Sequence, residues 1–223
     1  MVQLSLILPP EPDDRWHLAR QMGVTNAVVH PLEIGDDKTN WTYDELKGMA
    51  NWFEEVGIDL SVIEGSVPLT DRVRLGLDGR DEDIAEFKQF LRDCGAVGIP
   101  VVCYDWMAGV RWARTEAHVE TRGGAYTTGY TDERMSGGPD IDHADVTRDQ
   151  LWEALEYFLT EVVPVAEEAG VKLGLHPSDP PIDSVRGIPR LANSVEAYDR
   201  ILNIVDSEHN GVTFCQGNFA AMG

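Results

Sequence analysis

Short apolar runs alternate with longer amphipathic ones along the chain, and this alternation leaves few folds open. The short runs Val2–Leu8, Asn26–His30, Leu60–Glu64, Val101–Tyr104, Lys172–His176 and Gly211–Cys215 read as strands. Most are too apolar for a sheet with one face in water, so the pattern predicts a parallel sheet buried on both sides.

The intervening runs place apolar residues at helical spacing. Leu46, Met49, Ala50 and Phe53 form one stripe, and Ile84, Phe87, Leu91 and Cys94 a second. Leu151, Leu155, Phe158, Leu159 and Val162 form a third, and Tyr198, Ile201, Leu202 and Val205 a fourth. Three helices open with a polar residue followed three positions later by an acid or amide: Thr42 with Glu45, Thr147 with Gln150, and Asn193 with Glu196. Residues 107–148 break the rhythm with glycines, charges and the polar run TRGGAYTTGYTDERMSGGPD. A stretch this long reads as a lid, a binding loop or disorder. The whole of 1–223 is therefore expected to be a single domain with a loop insertion at about 107–148.

Six strand units fall two short of a (β/α)8 barrel, and a six-stranded open sheet fits the length equally well. The open sheet usually announces a nucleotide with a glycine-rich first turn, yet the first strand is followed by PPEPDD and neither GxGxxG nor GxxxxGK[ST] occurs.

Charge narrows the function. There are 39 acidic residues against 18 Lys plus Arg, a formal charge of −21. Such a surface repels nucleic acid and anionic membranes. Only 4 of the basic residues are Lys and 14 are Arg, a balance like that of proteins adapted to high salt. Cys94, Cys103 and Cys215 are an odd count without CxxC spacing, which fits a reducing cytoplasm better than a disulfide framework or a zinc ribbon. The first residues lack a basic region and a long apolar run, so no leader or membrane span is expected there.

In parallel α/β folds the working residues sit at the carboxyl ends of strands. Those ends carry His30-Pro31, Glu64-Gly65, Tyr104-Asp105-Trp106, His176-Pro177-Ser178-Asp179 and Cys215-Gln216-Gly217-Asn218. A His and a Cys at successive strand ends would face one mouth, close enough to share a metal. Cys94 and Cys103 read as core. By position alone, Tyr104 and Trp106 read as packing and Asp105 as a turn cap. There is no GxSxG elbow for a serine hydrolase.

Four segments in order, SVPLTDRVRLGLDGRDEDIAEFKQFLRD, GIPVVCYDWMAGVRWARTE, VKLGLHPSDPPIDSVRGIPRL and GVTFCQGNF, resemble the mannonate dehydratase family. The specific elements are LGL-x-GRDE at 75–82, VCY-x-x-M with WARTE, and HP-x-DPP with G-x-PR. The resemblance implies a (β/α)8 TIM-barrel type α/β fold, of which about six βα units are present. It also implies a metal-dependent lyase that takes D-mannonate to 2-keto-3-deoxygluconate and water, in hexuronate catabolism. The cofactor it implies is Mn2+, or another divalent ion such as Fe2+, held by His176 and Cys215. Two further ligands, a His and an Asp, and the acid/base residues would come from strands seven and eight, so the chain is expected to be a C-terminally truncated form. Tyr104, Asp105, Arg114 and Asp179 map to the substrate-binding side. Ser178 stands where Asp is common, Asp105 where Asn is common, and QGN follows Cys215 where Thr-Gly-Ser is usual.

The expected partner is a small-molecule sugar acid, with neither nucleic acid nor membrane, in a cytoplasmic homo-oligomer formed through exposed sheet edges. Two alternatives stand beside this reading. One is a sugar isomerase or epimerase of the xylose-isomerase-like class, whose sites rely on Glu, Asp and His. The other is a non-catalytic remnant.

Overall fold

The computed structural model describes residues 2–30, 41–65, 67–135 and 142–223; Pro31, Ser66 and residues 136–141 of the 107–148 stretch lie outside them. In chain order the elements are β1 (Ser5–Leu8), α1 (Asp14–Gln21), β2 (Asn26–Val29), α2 (Tyr43–Glu55), β3 (Asp59–Glu64), α3 (Asp71–Leu75), α4 (Arg80–Val97) and β4 (Val101–Asp105). Then come β5 (Glu116–Glu120), β6 (Tyr126–Gly129), α5 (Asp132–Met135), α6 (Arg148–Ala169) and β7 (Lys172–His176). The chain closes with β8 (Ser184–Val185), β9 (Ile188–Pro189), α7 (Val195–Ile204), β10 (Asn210–Val212) and α8 (Gln216–Ala221).

The main sheet has six parallel strands in the order β1-β2-β3-β4-β7-β10. Every strand lies beside the one before it in the sheet's own sequence, with no reversal. That progressive winding is the wall of a barrel; a doubly wound sheet needs a switch point where the order turns back.

The helix stripes pack as their spacing requires. Leu46, Met49 and Phe53 of α2, Ile84, Phe87, Leu91 and Cys94 of α4, and all five stripe residues of α6 are buried. In α7, Tyr198 and Ile201 are buried while Leu202 is exposed, because the stripe is narrower than its spacing suggests. Thr42 with Glu45 and Thr147 with Gln150 form complete capping boxes. The third cap is shifted by one residue: Ser194, not Asn193, accepts from Ala197 N, since Asn193 Nδ2 is drawn to the Ile182 carbonyl. Phe158 gathers Phe87, Tyr104 and Trp106 around its ring between sheet and helices.

Burial on both faces holds for the helix side only. On the other, inner face Ile7 is 63% exposed and Val28, Val62 and Val101 are half-buried, because no second layer covers that face among the described residues. The expected strand ends move slightly: β1 begins at Ser5 and β10 stops at Val212, leaving Cys215 in the turn before α8. Within 107–148, β5 and β6 pair as an antiparallel hairpin, so much of this stretch has structure of its own.

Candidate active site

Strand register decides which side chains share the mouth. Glu64 pairs with Cys103, Cys103 with Gly174, Asp105 with His176, and Gly211 with Gly174. Alternation along each strand then puts Glu64, Cys103, Asp105, Gly174 and His176 on the inner face. Gly174 is required there: a Cβ would come 2.8 Å from Thr213 Oγ1 and 3.5 Å from Cys103 Sγ. At the ends of β2 and β3, His30 Nε2 lies 4.0 Å from Glu64 Oε2.

His176 is the last residue of β7 and is buried. Its Nδ1 is 2.8 Å from the Pro177 carbonyl, which can only accept, so Nδ1 carries a proton and Nε2 is the ring nitrogen left to face a ligand. A carbonyl holding one ring nitrogen is how metal-binding imidazoles are commonly oriented. Cys215 follows β10, the neighbour of β7, and is the half-buried thiol of the three, whereas Cys94 and Cys103 are buried. Asn218 Nδ2 donates to its Sγ at 3.3 Å. Burial without a compensating charge pushes the Cys94 thiol up, and burial pushes Cys103 up to about 11 against a weaker opposing hydrogen bond from Thr213, so neither is a ready thiolate. Imidazole and thiolate suit a borderline divalent ion, so the donor chemistry of His176 and Cys215 fits a metal. Among the described residues no group of three or more His, Cys, Asp and Glu is arranged to hold one.

The four substrate-side residues part company. Arg114 and Asp179 form a bidentate pair, Nη1 to Oδ1 at 2.5 Å and Nη2 to Oδ2 at 2.9 Å. Hydrogen bonding to Asp179 raises the guanidinium above its ordinary range, and Nε donates to Thr128 Oγ1 on β6. Met107 Sδ accepts from Asp179 N. Arg114 lies in the loop after β4 and Asp179 in the loop after β7. The Tyr104 ring lies on the helix face against Phe158, is buried, and its hydroxyl has no partner. Burial pushes its phenol well above the ordinary range. Asp105 is on the inner face, but its carboxylate is already engaged. Oδ1 accepts from Met107 N at 3.0 Å, the turn cap, and Oδ2 accepts from Arg111.

Sequence reasoning passed over Trp112. Its ring stands edge-on to His176, centroids 4.7 Å apart at 73°, with φ at +39°, a region bulky residues rarely adopt. Arg111 and Arg114 anchor it on either side. Its only sequence signal was its place in WARTE.

A parallel, progressively wound sheet with no reversal of strand order defines the wall of a (β/α)8-type barrel. A solved xylose isomerase-like TIM barrel protein from Mycobacterium smegmatis aligns over 92% of this chain and 56% of its own, with a TM-score of 0.50 and 12% identity, which speaks for the fold alone. The family model for D-mannonate dehydratase (UxuA) matches residues 15–143 and 140–223. The chain belongs to the mannonate dehydratase family. It is 34% identical to mannonate dehydratase of Streptococcus pneumoniae over 89% of this chain and 59% of that protein. The crystal structure of mannonate dehydratase from Streptococcus suis serotype2 superposes with a TM-score of 0.87 and 30% identity, over 99% of this chain and 66% of the other. The chain thus spans about three fifths of the length of the curated relatives it matches.

Proposed function

We propose that this chain carries the His and Cys half of a metal-dependent sugar-acid dehydratase site, acting on D-mannonate to give 2-keto-3-deoxygluconate and water. The carrying observation is the placement of His176, with Nε2 left for a ligand, and Cys215 at the ends of hydrogen-bonded neighbours β7 and β10. Family membership supports the substrate class, and the family's general metal dependence supports the cofactor. In this reading the metal is Mn2+ or Fe2+, the protein is cytoplasmic and homo-oligomeric, and 1–223 acts as one domain with its insertion beside the site. Among the described residues no helix is long and apolar enough to cross a membrane.

Dehydration breaks the C2–H bond beside the carboxylate and the C3–O bond, and the leaving hydroxyl must gain a proton. A bound divalent cation supplies charge neutralisation for the anion that grows when the C2 proton leaves. His176 would hold it through Nε2, oriented by Pro177, and Cys215 as thiolate, with Asn218 donating to the sulfur. Arg114 and Asp179, in the loops after β4 and β7, would offer donors and an acceptor to the substrate's hydroxyls, and their mutual clamp fixes both heads before binding. Trp112 walls the imidazole and excludes water from one side. Tyr104 and Asp105 act as scaffold, not as substrate contacts. The two proton transfers are assigned to no described residue.

The test is binding of D-mannonate to the purified chain loaded with Mn2+, followed by paramagnetic broadening of the sugar acid's NMR lines. Broadening by the parent, lost in His176→Ala, supports the reading. Equal broadening in parent and variant, or none in either, contradicts it.

A further inference from the structure

The G-x-PR element ends in Arg190, and nothing in the dehydratase reading uses it. Its side chain is fully buried, a rare state for a guanidinium unless it is paired. No carboxylate of the described residues forms an ion pair with it; its Nη2 donates to the Val110 carbonyl, while Nε and Nη1 have no acceptor.

Two further arginines stand close by. Arg74, buried, donates from Nε to the Asp105 carbonyl at 3.3 Å and from Nη1 to the Leu69 carbonyl at 2.7 Å and to Asp71 Oδ1 at 3.3 Å. Its Nη2 lies 3.5 Å from Asp105 Oδ1 without a hydrogen bond. Arg111 meets Asp105 through Nη2, and its Nε is enclosed and unpartnered. The charges that face this cluster are therefore three guanidiniums against Asp105, which is buried, and Asp71, which is half-exposed and also accepts from Gly109 N. Among the described residues these contacts leave one positive charge in excess, in a protein whose net charge is −21. Tyr130, the other polar group near Arg190, gives its hydroxyl to Asp132.

An uncompensated buried charge with orphaned donors is costly, and the number of carbonyls in reach does not cancel it. We propose that the guanidinium of Arg190, with Arg74 Nη2 and Arg111 Nε, forms a buried receptor for one small monovalent anion, of the halide class. A single negative charge balances the count, and spherical acceptance suits several N–H donors from different arginines. The enclosure of those atoms favours an ion of chloride size over the carboxylate of a sugar acid. The anion would tie together three elements that frame the mouth: the β4 loop through Arg111, α3 through Arg74, and the strand end of β9 through Arg190. Consistent with poor compensation, burial lowers Arg190 to about 10 and lowers Arg74.

The direct experiment is a crystal of the wild-type chain grown in bromide, with data collected at the bromine edge. The expected result is an anomalous peak in contact with Arg190 Nε or Nη1. Water density there without an anomalous signal overturns the proposal. In solution, bromide or chloride replaces a bulky organic sulfonate at constant ionic strength. Saturable stabilisation is expected, about 5–10 °C in Tm at roughly a hundredfold excess over Kd. Arg190→Met removes the excess charge and keeps the volume, so it folds without halide and its Tm is indifferent to the exchange. A halide response equal in parent and variant overturns the proposal, as does a parent whose Tm does not move. A response to D-mannonate in place of halide, lost in Arg190→Met, would make the occupant the substrate's carboxylate and also overturn it. None of these readouts depends on the dehydratase reading.

Discussion

Arg114 grips Asp179 at two points, Nη1 on Oδ1 and Nη2 on Oδ2, while its Nε holds Thr128. One side chain thus ties the loop after β4, the β5–β6 hairpin and the loop after β7. Lys cannot reproduce a planar two-point contact. The pair is partly exposed, so Arg114→Lys should cost no more than about 1 kcal/mol of global stability. Its larger effect is local: cleavage by trypsin at the exposed Arg122 of the hairpin turn should be about threefold faster. Equal cleavage rates would show that the clamp does not hold the hairpin.

Tyr104 separates scaffold from substrate contact. Its hydroxyl is buried without a partner, so Tyr104→Phe removes an unsatisfied group and keeps the ring against Phe158. Stability should stay level or rise by about 1 kcal/mol in urea denaturation, with Kd for the sugar acid unchanged. A raised Kd would return Tyr104 to the substrate side.

The Cys103 thiol predicts a loss of stability in alkali. Its folded value, about 11, lies above its ordinary value of 9.0, because burial disfavours the thiolate. The folded chain therefore binds more protons than the unfolded chain between these values. The stabilisation is complete below pH 9 and is lost as pH rises towards 11. The full effect is roughly 2–3 kcal/mol. Urea midpoints at pH 8, 9, 10 and 11 should fall less steeply for Cys103→Ala than for the parent; parallel curves would contradict the assignment.

Salt should stabilise the chain through its surface. With 39 acidic residues against 18 Lys plus Arg, the folded state repels itself at low ionic strength, and salt shortens the reach of that repulsion. Raising a 1:1 salt of bulky anion from about 0.05 M to about 1 M should lift Tm by roughly 5 °C. A flat or falling Tm would mean that the acidic groups are already locally compensated.

Periodicity made the scaffold legible because burial on the helix side leaves a direct imprint on residue choice. Leu155 and Phe158 could be placed in the core from spacing alone, and Thr42 with Glu45 marked its helix start to the residue. The barrel required the strand order, which no local pattern carries. Inner-face burial was overestimated because an apolar residue such as Ile7 does not say what will cover it. In the site, His176 and Cys215 stood out since strand ends are where parallel folds display chemistry. Asp105 looks available as a carboxylate at a strand end, and its engagement with Arg111 and Met107 N shows only in the fold. Trp112 and the Arg74–Arg111–Arg190 group were illegible for the same reason: their meaning lies in contacts between segments far apart in sequence.

Shared binding of one divalent metal by His176 and Cys215 is read from metal content per chain after manganese reconstitution and gel filtration, for the parent, His176→Ala and Cys215→Ala. Near-stoichiometric manganese is expected in the parent and loss in both variants, with circular dichroism unchanged. Manganese retained in either variant, or absent from the parent, would contradict shared binding.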